Sequence, residues 1–294
     1  MKKFLIALAK YGLLFLLVSN GIALLSLLAL ERSNFYKPEF VKNGLTSKNY
    51  DYAVLGSSTG LTTLDTKEID SITGKNGINI SMDDSAISSH YLMLQHFLAH
   101  GNHTKTLILT ITPWNTEVAE PEINGNDYRF LPFIYTDYVY NYYSTLEKSF
   151  FKPLTLSRYF PIVGVAYYNT ELFYPSVVAA LQPKKRNRFD YKGNYSYPSG
   201  NHPKQHEKVI QQFKSVNPYM DKIEDLCSKN NIKLLYYITP IYQTSVIPMD
   251  KNRAYINHAD LLQTPDLFYD DMHVNAAGRL VCSAAVAKLL FQNN

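Results

Sequence analysis

Tyr52-Ala53-Val54-Leu55-Gly56-Ser57-Ser58-Thr59-Gly60 reads as a short apolar strand that stops at a glycine and runs into a serine-rich turn. The strand is apolar throughout rather than alternating, the pattern of a strand buried on both faces of a parallel sheet. The same signature recurs at Gly77-Ile78-Asn79-Ile80, at Leu107 to Ile111 and at Ile232 to Ile238, the last stopped by Pro240. Helical periodicities lie between and after these runs. Ser88 to His100 carries Tyr91, Leu92, Leu94, Phe97 and Leu98 at helical spacing and ends at Gly101, Pro218 to Asn230 puts Met220, Ile223 and Leu226 on one face, and Ala276 to Phe291 closes the chain. Strands alternating with helices predict an α/β fold: a three-layer α/β/α domain around a short parallel sheet.

At the amino end, Lys2, Lys3 and Lys10 precede twenty uncharged residues, 11–30. At about 1.5 Å per residue a helix of that length crosses a hydrocarbon core of roughly 30 Å, and the leading lysines favour a cytoplasmic amino terminus. Residues 1–34 therefore read as a cytoplasmic tip and transmembrane anchor, 35–48 as a polar connector and 49–294 as an extracytoplasmic domain. A cleaved signal peptide is the competing reading, but its apolar region is shorter and Leu27-Leu28-Ala29-Leu30 is a poor cleavage site.

The stretch from about 120 to 216 breaks the strand and helix rhythm. It holds more than half of the 24 tyrosines and the run Lys184-Lys185-Arg186-Asn187-Arg188. Read as an insertion, it is either a helical cap whose tyrosines pack with their hydroxyls at the edge, or a surface for carbohydrate or lipid headgroups. Across all 294 residues the net charge is +4, with 46% hydrophobic and 18% charged residues, so the chain folds and lacks the strongly basic character of a nucleic-acid partner. Cys227 and Cys282 are too few for a disulfide scaffold or a tetrahedral cysteine site; packing as small apolar residues and a single disulfide both stay open.

Two segments carry chemistry. In the first, a serine on a tight turn at the end of a parallel strand projects its hydroxyl into the crevice where open α/β sheets bind ligands, and the following backbone N–H groups face a developing oxyanion. The second is Tyr269-Asp270-Asp271-Met272-His273-Val274-Asn275, a D-x-x-H pattern before the last helix. A histidine takes a serine proton and returns it to a leaving group, while a carboxylate three residues earlier fixes its tautomer.

With these motifs the chain resembles the SGNH (GDSL-like) hydrolase superfamily, in its membrane-anchored extracytoplasmic branch of polysaccharide O-acetylation and D-alanyl transfer proteins. The resemblance covers about residues 49–111 and 217 to the end. It implies Ser58 as nucleophile and first oxyanion donor, His273 as general base, Asp270 as its orienting partner and Asn115, in Thr112-Pro113-Trp114-Asn115, as the second oxyanion donor. It also likens Ile238-Thr239-Pro240-Ile241-Tyr242 to the loop that precedes the final block. Two positions depart from the superfamily's pattern. Ser57 stands where an acidic residue is usual, as in the anchored branch, and residues 79–85 lack the second-block glycine. The resemblance implies acyl-ester chemistry, as O-acyltransferase or esterase, on a polysaccharide or cell-envelope polymer outside the cytoplasm, with no cofactor and with a membrane-embedded acyl donor protein as a possible partner. The alternative is a non-catalytic glycan-binding or assembly protein of the same fold.

Gly56-Ser57-Ser58-Thr59-Gly60 also fits the G-x-S-x-G nucleophile elbow of α/β-hydrolases, but that elbow normally follows several strands, and here the serine follows the first. His96, His100 and His103 share a helical spacing that Gly101 interrupts, so they read as a surface helix end rather than a metal site. Asp83-Asp84 reads as a loop or cap.

Overall fold

The computed structural model describes residues 1–200, 202–250 and 252–291 and divides the chain into two units, one formed by Met1–Gly44 with Asp127–Asn187 and the other by Leu45–Asn126 with Arg188–Asn294.

The second unit is the expected α/β fold. Its strands are β1 (Asn49–Leu55), β2 (Gly77–Asn79), β3 (His103–Ile111), β4 (Val209–Phe213), β5 (Lys233–Ile238), β6 (Thr244–Pro248) and β7 (Tyr255–Asn257). Five form a sheet in the order β2-β1-β3-β5-β7, and every pairing in it is parallel. The carboxyl halves of β1, β3 and β5 are buried residue after residue, which explains their unbroken apolar runs. Two helix pairs accompany the sheet: Ile87–Ala99 packs with Pro218–Lys229, and Thr66–Thr73 packs with Ala276–Phe291. Tyr52, Val54, Ile108, Tyr237, Phe268, Val274, Cys282 and Val286 belong to one buried cluster. The strand β7 and the parallel pair β4 and β6 had no sequence signal of their own; each is five residues or shorter, and the pair is partly exposed.

The chain leaves β1 toward β2 on one side and reaches β3 on the other. That reversal opens a crevice at the carboxyl ends of β1 and β3, where the loops that follow the two strands diverge.

The first unit is built around the helix Lys2–Glu31, which is long and apolar enough to cross a membrane. Residues 35–48, expected as a polar connector, instead contain the helix Lys37–Asn43, because Phe35, Tyr36, Phe40 and Val41 are buried. The Tyr-rich stretch is likewise not one body. Residues 127–187 join this unit and bury Phe130, Leu131, Val139, Tyr143 and Leu172, whereas 188–216 belong to the α/β unit. There Lys192 ion-pairs with Asp70 at 2.8 Å, its carbonyl accepts from the Asn79 N–H at 2.9 Å, and Asn194 hydrogen-bonds Thr66. A stretch read by composition divides according to which buried partners its two halves meet.

Glu39 is fully buried, and neither of its carboxyl oxygens has a hydrogen-bond partner among the described residues. Burial, only partly offset by the charge of Arg129, pushes this carboxyl up to about 8. The unfolded chain releases the same proton near pH ~4.3. Between those values the folded state holds more protons, so stability falls as pH rises. Glu39→Gln is expected to raise the unfolding temperature of the full chain more at pH 8 than at pH 5; equal shifts at both would contradict the assignment.

Both cysteines are free and buried, and burial pushes each thiol up to about 12. They pack as small apolar residues.

Candidate active site

Ser58 is the first residue of the short helix Ser58–Thr63, directly beyond β1, with Ser57 as its extended N-cap. Two glycines set this turn because β3 presses against it. A Cβ at Gly56 would lie 1.7 Å from Thr110 Oγ1, and one at Gly60 would lie 2.2 Å from the same atom. Thr110 Oγ1 donates to the Leu55 carbonyl at 3.3 Å, which ties the turn to the neighbouring strand.

His273 reaches Ser58 from the other end of the chain. Its Nε2 lies 2.8 Å from Ser58 Oγ, a contact between residues 215 apart in sequence. Its Nδ1 lies 2.9 Å from both carboxyl oxygens of Asp270. Asp270 Oδ1 also accepts the backbone N–H groups of Met272 at 2.9 Å and His273 at 2.8 Å, so the carboxylate organises the turn that carries the imidazole. Burial pushes the Asp270 carboxyl up, but the hydrogen bonds from the His273 ring and from these two N–H groups outweigh it and hold the carboxyl below its ordinary value. The group stays an anion facing the ring. His273 itself is buried and Ser58 half-buried.

The loop is fixed from three directions. Tyr242, at the end of the segment 238–242, donates its N–H to the Asp271 carbonyl at 2.9 Å. Tyr197 stacks on Tyr269 at 4.2 Å and makes a T-shaped contact with the His273 ring at 5.3 Å. Asn275, fully buried, donates Nδ2 to the carbonyls of Asp266 and Phe268 and accepts the N–H groups of Ala277 and Gly278 on Oδ1. It caps the last helix while tying down the loop before it. The last helix is braced in turn against the segment after Ser58: Arg279 pairs with Asp65 at 3.1 Å, and Ser283 Oγ accepts the Asp65 N–H.

Asn275→Ala would leave carbonyls and helix-end N–H groups without partners in a buried place, a loss of about 1–3 kcal/mol. The expected result is a lower unfolding temperature together with weaker reactivity of Ser58. A variant as stable and as reactive as the parent would show that the cap does not position His273.

Asn115 lies in the short helix Pro113–Thr116 after β3, and its carbonyl accepts from Asn217 Nδ2 at 3.1 Å. It lines a cleft of about 380 Å³ together with Ser57, Ser58, Ser85, Trp114 and Met272. Trp114 is half-exposed there, so the cleft offers an aromatic face beside the serine. The first N–H groups of the Ser58–Thr63 helix have no acceptor within their own helix, which leaves the Ser58 N–H available to an oxyanion. The second-block segment differs: Ser81 N–H is held by Asn79 Oδ1 at 3.0 Å, and Met82 N–H by the Gly56 carbonyl at 3.0 Å. Neither can serve as a donor to substrate without breaking a bond of the fold.

No family model matches the chain, and no curated protein matches it. The site's reading therefore rests on its own geometry.

Ser58, His273, Asp270 and Asn115 all lie at the carboxyl ends of strands or in the loops that meet there. Among the described residues no group of three metal-ligating side chains occurs. The helix Ile87–Ala99 ends before His100, Gly101 takes a left-handed conformation, and His103 opens β3, so the three histidines do not share one helix. Sequence reasoning passed over Tyr197, Thr110 and Asn275. An asparagine directly before Ala276-Ala277-Gly278 is a helix-start signal and could have been read. Tyr197 and Thr110 carried no such local mark.

Proposed function

We propose that the protein is a serine acyl-ester enzyme whose α/β unit belongs with the SGNH-like hydrolases. The observation that carries this is the continuous relay from Asp270 through His273 to Ser58 Oγ, each link 2.8–2.9 Å long. The strand order supports the fold part of the reading, since right-handed crossovers moving first one way and then the other put helices on opposite faces of the sheet, as in a three-layer α/β/α domain.

In the reaction, Ser58 Oγ attacks the carbonyl carbon of an acyl ester while His273 Nε2 takes the hydroxyl proton. The tetrahedral oxyanion is received by the Ser58 N–H and the Asn115 side chain. Collapse breaks the bond to the leaving oxygen, which takes the proton from His273, and leaves acyl-Ser58. A sugar hydroxyl or water then attacks with His273 again as base, forming the product ester or acid and restoring the serine. Asp270 keeps the imidazole in the tautomer with its proton on Nδ1 and steadies the imidazolium. The half-exposed Trp114 beside a small cleft of mixed polar and apolar surface suits a sugar ring carrying a short acyl group. With the long apolar helix read as an anchor and the leading lysines as cytoplasmic, the substrate is an extracytoplasmic glycan or cell-envelope polymer, and a membrane-embedded protein is a fitting acyl donor.

The test is labelling of the detergent-solubilised full chain with a fluorophosphonate, the adduct being mapped by mass spectrometry. The reading expects label on Ser58 that vanishes in Ser58→Ala. A second reading, a non-catalytic envelope protein that kept the fold and binds glycan, draws on the engaged N–H groups of Ser81 and Met82. Folded protein that binds glycan and takes no label would select it.

A further inference from the structure

The uncharged part of the helix Lys2–Glu31, residues 11–30, measures about 30 Å at 1.5 Å per residue, one hydrocarbon thickness and no more. Its last twelve residues are nevertheless covered on one side by protein. Pro161–Tyr167 and Asn169–Leu181 pack along them, the Ile162 N–H donates to Asn20 Oδ1 at 3.3 Å, and Ala23, Leu27 and Leu30 are buried. The rest of its surface stays largely bare, with Leu25 67% exposed. If residues 11–30 span, helices packed beside residues 19–30 lie at the depth of the acyl chains.

Their own surface agrees with that depth. From Pro161 to Leu181 the only charged residue is Glu171, and Phe173, Val177 and Leu181 face outward. Phe160, next to the segment held by Asn20, is 54% exposed. The loop Lys148-Ser149-Phe150-Phe151-Lys152 holds out two phenylalanines, 92% and 74% exposed, between lysines. Such apolar surface is unfavourable in water and favourable among acyl chains. The basic run Lys184-Lys185-Arg186 follows at a fixed level: the Asn34 N–H donates to the Pro183 carbonyl at 2.8 Å and the Asn187 N–H to the Phe35 carbonyl at 3.0 Å, just beyond the end of the apolar helix. Cations at that level meet phosphate headgroups.

We propose that residues 148–186 form a lipid-seated collar around the anchor: the helices Pro161–Tyr167 and Asn169–Leu181 and the Phe150-Phe151 tip enter the leaflet from which the anchor emerges, and Lys184-Lys185-Arg186 bind its anionic headgroups. This rests on the anchor being membrane-spanning and is independent of the serine chemistry. The occupant of the surface is lipid, and the collar gives the protein a grip on one leaflet beyond what a single helix provides.

The test uses the full chain with its one tryptophan removed by Trp114→Phe, reconstituted in vesicles of phosphatidylcholine and phosphatidylglycerol. Single probes are introduced as Phe160→Trp, Phe173→Trp and Phe151→Trp, all exposed sites, with Phe15→Trp in the bare part of the anchor as the standard. Brominated acyl chains are expected to quench the three collar probes as strongly as the standard, and aqueous iodide is expected to leave them bright. Quenching of Phe15→Trp alone, with the collar probes open to iodide, would overturn the proposal and mark the surface as a protein-binding face. A standard that brominated lipid does not quench would overturn the spanning helix and the collar together, leaving the Ser58 reading untouched.

Discussion

His273→Ala is expected to slow acyl-ester turnover by about 10⁴–10⁶-fold, the loss found when one member of a serine-histidine-carboxylate constellation is removed. Among the described residues the ring makes the only contact that can receive the Ser58 proton, at 2.8 Å, and without it the hydroxyl is an ordinary alcohol near neutral pH. Asp270→Asn is expected to cost about 10⁴-fold for a different reason. An amide cannot hold the imidazole in the tautomer that leaves Nε2 free to accept, and it no longer balances the imidazolium. Because Asp270 also accepts the N–H groups of Met272 and His273, the asparagine keeps part of the turn and separates charge from geometry. Rates of hydrolysis of a short acyl ester, or of fluorophosphonate inactivation, measure both. Rates within about tenfold of the parent for His273→Ala would remove the histidine from the mechanism, since general base catalysis contributes at least ~10²-fold.

The second large effect is expected at Gly56, a residue that touches no substrate. Gly56→Ala puts a methyl group 1.7 Å from Thr110 Oγ1, with the Thr110 Cβ and carbonyl oxygen at 3.1 Å. Two packed strands meet there, so the turn or β3 must shift, and overpacking of this kind costs about 1–3 kcal/mol or more. The shift also moves Ser58, two residues on. Thr110→Ala removes the nearest atom and leaves only the 3.1 Å contacts. The double variant Gly56→Ala/Thr110→Ala is therefore expected to recover much of the stability lost by Gly56→Ala, giving a coupling energy of opposite sign to the single losses. Unfolding curves of the four proteins measure it, and strictly additive losses would refute the contact.

The long apolar helix, the buried strands and the serine turn were legible because each is a local property. Twenty uncharged residues, an unbroken apolar run before Gly56, and Gly101 after a helical period each declare themselves within a dozen positions. The D-x-x-H of Asp270 and His273 is legible for the same reason, and Nδ1 of the ring engages the carboxylate as that spacing suggests.

Composition misled where partnership decides. The Tyr-rich middle looked uniform, yet Leu172 and Tyr143 are buried in the unit of the apolar helix, while Asn194 and Tyr197 serve the α/β unit, the latter in a T-shaped contact with the His273 ring. Residues 35–48 looked polar because two of their buried residues, Lys37 and Glu39, are themselves charged and Lys42 and Asn43 follow.

By itself, then, the chain determined the strands β1, β2, β3 and β5, which helix is apolar enough to span, and which side chains have hydroxyl, imidazole and carboxylate chemistry, since all of these are set by neighbours in sequence. Only the tertiary structure decided that Ser58 and His273, 215 residues apart, meet at 2.8 Å, and that Asn115 lines the same cleft. That meeting depends on strand order, on Thr110 pressing against two glycines, and on Asn275 tying the last loop to the last helix. These are contacts between distant apolar and polar surfaces that form only when the whole core is assembled, and no local pattern encodes them.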